Sequence, residues 1–217
     1  MSKLKNPRLR MYKTIVRSPK IGIVIPVYNY VGNTNLAQAI YTIEQCCDMP
    51  YQLSLGIGPH CVAKNRVKGE SRLDPSIRYV LQMDDDVLVP PHFASEMVQV
   101  LQSQDNIGAV SAVMVGPTGA AQNDLSYDAI GPGVVKECLP PGTCFMYDRK
   151  DVPIVWDTRY QGSQWEDTDA MMQIRATGKK TVATGNVQIM HKNNWSENKW
   201  WNENKALFTE KWPGALS

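Results

Sequence analysis

The chain has 217 residues, of which 43% are hydrophobic, and this is enough apolar material for one sizeable core. Chains of up to about 250 residues are routinely single domains in α/β folds. The 23 basic and 21 acidic residues leave a net charge of +2, which gives no electrostatic reason to expect a nucleic-acid partner and favours a small or neutral substrate. The five cysteines match neither a CxxC metal pair nor a disulfide framework, so a reducing, cytoplasmic environment is expected.

Residues 1–20 contain seven lysines and arginines and directly precede the apolar run IGIVIPV (residues 21–27). A secretory signal also places basic residues before an apolar stretch. This run is interrupted by Pro26, however, and is shorter than the roughly 20 apolar residues that cross a bilayer. The pattern therefore predicts a basic N-terminal tail, no transmembrane segment, and a buried strand from Ile21. Peripheral contact of the tail with anionic lipid stays open.

Strands and helices alternate in the first half of the chain. The apolar run from Ile21 is rich in β-branched residues, as is typical of a strand buried on both faces of a parallel sheet. Thr34 is in position to cap the next helix, and Pro90 or Pro91 suits the first turn of a later one. Further strands are predicted at 51–57, 77–83 and 107–115, with a short helix within 60–70. The alternation predicts an open, mostly parallel α/β sheet flanked by helices, in one domain over residues 21–217.

The second half of the chain is less regular. Residues 116–142 are rich in glycine and proline and predict loops or short strands, whereas residues 163–176 have the pattern of a helix. Strands are predicted at 143–147 and 180–191. Near the C-terminus, Trp201, Phe208 and Trp212 follow a spacing that is typical of one helix face. They are predicted to pack this helix onto the sheet, with stacking on a sugar as the alternative.

Three adjacent carboxylates, Asp84, Asp85 and Asp86, follow the predicted strand that ends at Met83. Adjacent carboxylates repel each other and raise each other's pKa unless a cation compensates. In open α/β sheets, ligands bind at the carboxyl ends of the strands, where this triplet falls. Carboxylates spaced as Asp84-x-Asp86 suit a hard divalent cation, which prefers oxygen ligands. A solvated acidic turn is the alternative explanation.

The segment WEDTD (residues 165–169) and His191 supply further candidate groups. Glu166 and Asp167 lie near the start of a predicted helix, and His191 ends a predicted strand. Each also has a structural explanation. Ser163-x-x-Glu166 fits a capping box, acidic residues are favoured in a first helical turn, and a histidine after an apolar strand can be structural. The tryptophan of the segment is a candidate for stacking on an acceptor.

The order of these motifs is more specific than any one of them. IGIVIPVYN is followed by AKN, LQMDDDVLVPP, CFMYDRKDVP and WEDTDAMMQIRATGKKTV, and then by the histidine and NKALFTEKW. In this order the motifs resemble the GT-A glycosyltransferases of the family 2 type. The resemblance runs from Ile21 to Trp212, nearly the whole chain. It implies a GT-A (Rossmann-like) fold with a nucleotide-sugar half at 21–115 and an acceptor half at 116–217.

The resemblance also implies how a nucleotide-sugar donor is bound. Pro26, Val27 and Tyr28 match the first-strand segment that flanks the nucleobase. Lys64 stands where many relatives have an arginine, so the resemblance implies that Lys64 is a cation near the donor. On residue type alone, Lys64 and Arg66 are both also explained as surface charges.

By the same resemblance, the acidic triplet has unequal members. Asp84 matches the DxD carboxylate near the ribose and the metal, and Asp86 matches the direct metal ligand. Asp85 falls at the variable middle position of this donor-binding motif. His191 matches the distal metal ligand. Because an imidazole joins carboxylates in this set, Mn²⁺ is favoured over Mg²⁺.

The reaction that the resemblance implies is transfer of a sugar from a nucleoside-diphosphate sugar, with UDP favoured, to an acceptor hydroxyl in glycan synthesis. Asp167 matches the base of the ED motif, with Glu166 beside it. A base on the face opposite the leaving group implies a single displacement with inversion. The alternatives are a metal-dependent phosphohydrolase or nucleotidyltransferase, and a noncatalytic module that binds nucleotide sugars.

Overall fold

The structure of the protein is a computed structural model that describes residues 21–28, 32–59, 61–115, 130–140, 142–192 and 199–215. The predicted basic tail and most of the predicted loop region, residues 116–129, lie outside the described residues. Within them, no helix is both long and apolar enough to cross a bilayer.

Eight strands and five helices make up the described part of the chain. The strands are β1 (Ile21–Val27), β2 (Tyr51–Ile57), β3 (Tyr79–Met83), β4 (Val87–Leu88), β5 (Ile107–Val115), β6 (Val135–Glu137), β7 (Cys144–Asp148) and β8 (Lys180–His191). The helices are α1 (Thr34–Cys46), α2 (Val62–Glu70), α3 (Phe93–Ser103), α4 (Glu166–Ala176) and α5 (Trp201–Lys211). Every predicted strand and helix is present, although several begin later than predicted.

One sheet contains the eight strands in the order β2-β1-β3-β7-β5-β8-β4, with β6 paired to β8 beside this path. Strands β1, β2, β3, β5 and β8 run in one direction, and β4, β6 and β7 run in the opposite direction. The prediction of an open, mostly parallel α/β sheet in a single domain is therefore confirmed. Strand β7 is the main exception, since it lies antiparallel between β3 and β5.

Helices cover both faces of the sheet. Because successive side chains of a strand point to opposite faces, β1 contributes to two cores. On one face, Ile23 and Ile25 of β1 share a core with α1 and α3. On the other face, Val24 shares a core with α2 and α4. All seven residues of β1 are buried, as the apolar run predicted. Each fully buried aliphatic side chain contributes about 1.5–3 kcal/mol, so this buried strand holds the end of the sheet at which Val27 lies in a fixed position.

Helix α1 is capped by Asn33 and not, as predicted, by Thr34. Oδ1 of Asn33 accepts a hydrogen bond of 2.9 Å from the amide of Leu36. Thr34 is instead the first residue of the helix. Both residue types make good caps, so the sequence alone did not distinguish them.

The prediction that Pro90 or Pro91 opens a helix is wrong, because α3 begins only after His92, whose backbone is left-handed (φ 64°). Asp48, from the connection between α1 and β2, binds the start of α3. Its Oδ1 accepts a hydrogen bond of 3.2 Å from the amide of Ser95. A residue remote in sequence therefore supplies the cap that the local sequence lacks.

Helix α2 lies close against β2 because of Gly56. A Cβ at this position would come within 1.7 Å of the carbonyl oxygen of Asn65, which leaves room only for glycine. The side-chain amide of Asn65 donates to the carbonyls of Val27 (3.1 Å) and Gly58 (2.7 Å). These contacts fix the turn of α2 that carries Arg66.

Candidate active site and metal centre

The candidate site lies at the edge of the sheet where β3 ends. The amide of Asp84 donates to the carbonyl of Thr143 (2.9 Å), which extends the pairing of β3 with β7 by one residue. The chain then enters β4, whose antiparallel pairing with β8 places Val87 opposite His191. This register brings the histidine next to Asp86, although the two are remote in sequence.

Asp84, Asp86 and His191 are the one group of side chains in the described part of the chain that could hold a metal ion. A ligand atom from each residue lies within 4.8 Å of the other two. Nε2 of His191 is 3.1 Å from Oδ1 of Asp86, and all three side chains are half-buried. The structure therefore brings together the three residues that the sequence predicted as metal ligands.

The electrostatics of this group favour a bound cation. Burial raises the pKa of Asp84 to about 7, although 32% of its side-chain surface is accessible, and repulsion from Asp86 and Asp167 acts in the same direction. Burial disfavours the imidazolium form of His191, but the hydrogen bond to Asp86 and the nearby carboxylates outweigh burial and raise the pKa of the imidazole. The negative charge of the carboxylates, together with the nitrogen ligand of the imidazole, fits a divalent cation such as Mn²⁺.

Arg66 of α2 is a buried cation at this site, with 2% of its side chain exposed. One guanidinium nitrogen is 3.1 Å from Oδ1 of Asp84, and another donates to Oε1 of Gln82 at 3.1 Å. Nε of Arg66 is 4.0 Å from a carboxylate oxygen of Glu166. The guanidinium also lies over the ring of Trp156, 5.2 Å from its centroid. Arg66 thus connects the metal-binding end of β3 to the start of α4.

The interpretation of Arg66 as a surface charge is wrong, and the signal that could have corrected it is Gln82. This residue is an amide inside the otherwise apolar end of β3, and a buried amide requires hydrogen-bond partners. Gln82 accepts from Arg66 and donates to Glu70, which also accepts from the hydroxyl of Tyr147 and Nε1 of Trp156. Arg66 therefore belongs to a buried polar network.

Asp85 and Lys64 are not part of the metal-binding group. Asp85 accepts a hydrogen bond of 2.8 Å from the side-chain amide of Asn33, the cap of α1, and burial raises its pKa. It therefore ties the acidic triplet to α1. Lys64 is exposed on α2, two residues before the buried Arg66. The structure does not test the predicted roles of Asp85 and Lys64 in donor binding, and these roles stay predictions.

The two ED residues begin α4 in different environments. Glu166 is 4% exposed, and its burial, together with the neighbouring Asp167, raises its pKa to about 8. Asp167 is half-buried and accepts two backbone hydrogen bonds, from Gly142 to Oδ2 (2.9 Å) and from Thr168 to Oδ1 (2.7 Å). A Cβ on Gly142 would lie 2.1 Å from Cβ of Asp167, so the glycine permits this approach.

The predicted capping box of Ser163 and Glu166 is not formed. Helix α4 begins at Glu166, and the preceding Trp165 has a left-handed backbone (φ 73°) with no side-chain capping bond. Glu166 instead points inward to Arg66. Glu166 is buried beside Arg66, a residue of α2 that is remote in sequence, and a local sequence pattern does not contain the position of that residue.

The C-terminal helix α5 packs against α4 and the segment before it, whereas the sequence predicted packing on the sheet. The ring centroid of Trp165 is 5.1 Å from that of Trp201 and 5.0 Å from that of Phe208. Nε1 of Trp212 donates to Asp169 of α4 at 2.6 Å. The aromatic residues therefore do pack the helix, and they cover the tryptophan that the sequence proposed as an acceptor platform.

Pro26, Val27 and Tyr28 lie at the end of β1. Because β1 is parallel to β3, this end is at the same edge of the sheet as the acidic triplet. Pro26 and Val27 are buried, and 55% of Tyr28 is exposed. Their position is compatible with the predicted nucleobase contact, which stays a prediction.

Comparison with known proteins supports the fold. No family model matches the chain, and no curated protein matches its sequence. The crystal structure of GalNAc-T7 with UDP, GalNAc and Mn²⁺ matches it with a TM-score of 0.67 at 10% sequence identity, over 90% of this chain and 48% of that chain. The chain therefore spans about half the length of the GalNAc-T7 chain. At this identity the match shows a GT-A-like glycosyltransferase fold.

Proposed function

We propose that the protein is a metal-dependent glycosyltransferase that moves a sugar from a nucleoside-diphosphate sugar, with UDP favoured, to an acceptor hydroxyl. The observation that carries this proposal is the grouping of Asp84, Asp86 and His191 at the carboxyl edge of a GT-A-like sheet. GalNAc-T7, which has a similar fold, binds UDP and Mn²⁺ in its crystal structure. The proposal places the donor on residues 21–115 and the acceptor on residues 116–217.

In this proposal Asp86 and His191 hold the cation, and Asp84 lies within reach of it or of the donor ribose. When bound, the cation supplies Lewis-acid chemistry by neutralising the charge that develops on the diphosphate leaving group. Arg66 keeps Asp84 oriented toward this position through the 3.1 Å contact with its carboxylate. The mixed carboxylate and imidazole ligands favour Mn²⁺ over Mg²⁺.

Asp167 is the proposed catalytic base. A hydroxyl attacks poorly unless its proton is removed during the displacement, and a carboxylate within hydrogen-bond reach can accept that proton. Glu166 is the poorer candidate because its raised pKa of about 8 keeps it protonated near neutral pH. Two backbone amides hold the carboxylate of Asp167 in one orientation. Attack from the side of this base, opposite the leaving group, gives inversion at the anomeric carbon.

A thermal-shift screen of nucleotide sugars with and without Mn²⁺ tests the proposal. A ligand that binds only the folded state raises the melting temperature in proportion to its saturation. We expect stabilisation that requires both Mn²⁺ and one nucleotide sugar, followed by transfer to a hydroxyl acceptor. Release of nucleotide at full rate without an acceptor would identify a hydrolase, and binding without any turnover would identify a noncatalytic module. Either result contradicts the proposal.

A further inference from the structure

The start of α4 lacks a local cap, although it carries the proposed base. The preceding residue, Trp165, makes no side-chain capping bond. The backbone that leads into α4 is left-handed at Gly162 (φ 64°), Gln164 (φ 80°) and Trp165 (φ 73°). Left-handed backbone is disfavoured for residues other than glycine. A contact from elsewhere in the fold must therefore hold this segment in place.

Asn204 of α5 provides that contact. It is 2% exposed, and within the part of the chain that the structure describes its side chain bonds to the backbone of this segment alone. Nδ2 donates to the carbonyls of Gln161 (2.7 Å), Gln164 (3.2 Å) and Ser163 (3.4 Å), and Oδ1 accepts from the amide of Gln161 (3.0 Å). One buried amide thus bonds to three of the five residues that lead into Glu166.

Helix α5 is itself fixed to α4, so Asn204 has a rigid base. Asp169, which is 1% exposed, accepts hydrogen bonds from Nζ of Lys211 (2.7 Å) and Nε1 of Trp212 (2.6 Å). Phe208, which is fully buried, packs on the ring of Trp165. Helix α5 and Trp212, which follows it, therefore contact α4 two residues after the proposed base, and α5 also contacts the loop directly before α4.

The segment also contains polar atoms that the fold leaves unsatisfied. Among the described residues, Oε1 of Gln164 and Nε1 of Trp165 are buried without a hydrogen-bond partner. Leaving such atoms unpaired is costly. Together with the left-handed backbone, they indicate that the segment keeps this conformation because α5 imposes it.

We propose that Asn204 is a positioning residue that orients Asp167 for proton transfer by holding residues 161–165 in their left-handed path. The inference rests on the proposed function, since it assumes that Asp167 is the base. Among the described residues, the side chain of Asn204 makes its hydrogen bonds to residues 161–164 and none to Asp84, Asp86 or His191. Its loss is expected to move the base while the donor site stays intact.

The test compares Asn204→Ala with Asn202→Ala, which removes an exposed amide two residues away on the same helix. Both variants are titrated calorimetrically with Mn²⁺ and UDP, and turnover is measured with the donor found in the thermal-shift screen. For Asn204→Ala we expect affinity within twofold of wild type and a fall in kcat of about 10- to 100-fold, because misplacing a reacting group by about 1 Å has effects of this size. Asn202→Ala should match wild type.

A rescue variant separates positioning from a general loss of structure. Glycine adopts the left-handed backbone without cost, so Gln164→Gly in the Asn204→Ala background should recover at least part of kcat. If Asn204→Ala does not fold, Asn204→Asp takes its place, since it keeps the shape and the acceptor oxygen but loses the donor amide.

Two results would overturn the inference. One is a kcat for Asn204→Ala and Asn204→Asp equal to that of Asn202→Ala, and the other is an equal loss of UDP affinity and kcat with no rescue by glycine. Failure of the proposed function can be distinguished from failure of this inference, because the wild-type protein itself would then show no turnover.

Discussion

The metal-binding part of the site, on β3 and β8, and the part that carries the proposed base, on α4, are held by different kinds of contact. Asp84 and Asp86 follow a buried strand, and strand register alone brings His191 to them. Asp167 depends instead on a glycine in the chain before β7, on its neighbour's contact with Arg66 and on α5. Backbone pairing between strands therefore determines the positions of Asp84, Asp86 and His191, whereas side chains from remote elements determine the position of Asp167.

Removing the proposed base should have the largest effect and should separate the two parts. Asp167→Asn keeps the shape of the side chain but cannot accept a proton, and loss of general-base catalysis costs about 10²- to 10⁴-fold in rate. We expect kcat to fall by this amount while calorimetric affinity for Mn²⁺ with the donor is unchanged. Transfer at a rate near that of wild type would contradict the assignment of Asp167.

Asp86→Ala should have the opposite pattern, because it removes a residue proposed as a direct metal ligand. Loss of residues that only orient a ligand costs about 10- to 100-fold in metal affinity, so the loss for Asp86→Ala should be at least as large. Donor binding that depends on Mn²⁺ should be lost in the same titration. Asp85→Asn, at the middle of the triplet, is the matched control and should retain Mn²⁺ affinity. Equal titration curves for Asp86→Ala and wild type would exclude Asp86 as a ligand.

Arg66 connects the two parts, so its removal should affect both. Arg66→Gln removes the hydrogen bonds of the guanidinium to Asp84 and Gln82, and leaving a buried group without its partner costs about 1–3 kcal/mol. Urea denaturation should show this loss in the free energy of unfolding. Lys64→Gln, two residues away on the exposed side of α2, should change it by less than about 0.5 kcal/mol. Similar stability of the two variants would show that the guanidinium is not needed for the fold.

Gly142→Ala tests whether Asp167 is placed by close packing. The new Cβ would lie 2.1 Å from Cβ of Asp167, so the carboxylate must shift, and displacements of this size cost up to about 100-fold in rate. We expect a lower kcat with unchanged affinity for Mn²⁺ and UDP. Gly131→Ala is the control, because no atom of the described residues lies within 4 Å of a Cβ there. If both variants turn over donor at the same rate, close packing does not place the base.

Glu166→Gln should have the smallest effect on turnover and ligand binding, and should mainly change how stability depends on pH. Burial raises the pKa of Glu166 from its ordinary value of 4.5 to about 8, so between these values the unfolded chain ionises while the folded protein keeps its proton. The free energy of unfolding therefore falls as pH rises through this window, by at most about 1.4 kcal/mol per pH unit. The stability lost is not regained above pH 8.

Glu166→Gln removes this contribution, so its metal-free stability should fall less than that of wild type between about pH 5 and about pH 8. Urea denaturation in the presence of EDTA measures the difference. Asp84, whose pKa is raised to about 7, contributes a decline of the same sign in both proteins. Parallel stability curves for the variant and wild type would show that Glu166 is ionised in the folded protein.

The sequence by itself determined the order of the predicted strands and helices, the sheet class and the place of the acidic triplet at the end of a strand. These features follow from patterns that are local in the chain. An apolar run specifies a buried strand, and ligands bind at the end of such strands in open α/β sheets. The resemblance of the motif order to GT-A glycosyltransferases predicted that Asp84, Asp86 and His191 act together, whereas the pairing of β4 with β8 is what brings His191 to Asp86.

Only the tertiary structure decided how Glu166 and Asp167 are held. Ser163 and Glu166 fit a capping box in sequence, yet Glu166 faces Arg66 and the loop before it is bound by Asn204. Such contacts join residues that are distant in the chain, and a buried charge or amide gains more from one of them than from a local cap. The packing of α2 and α5 decides which remote residue contacts this segment, and no local sequence pattern predicts that packing.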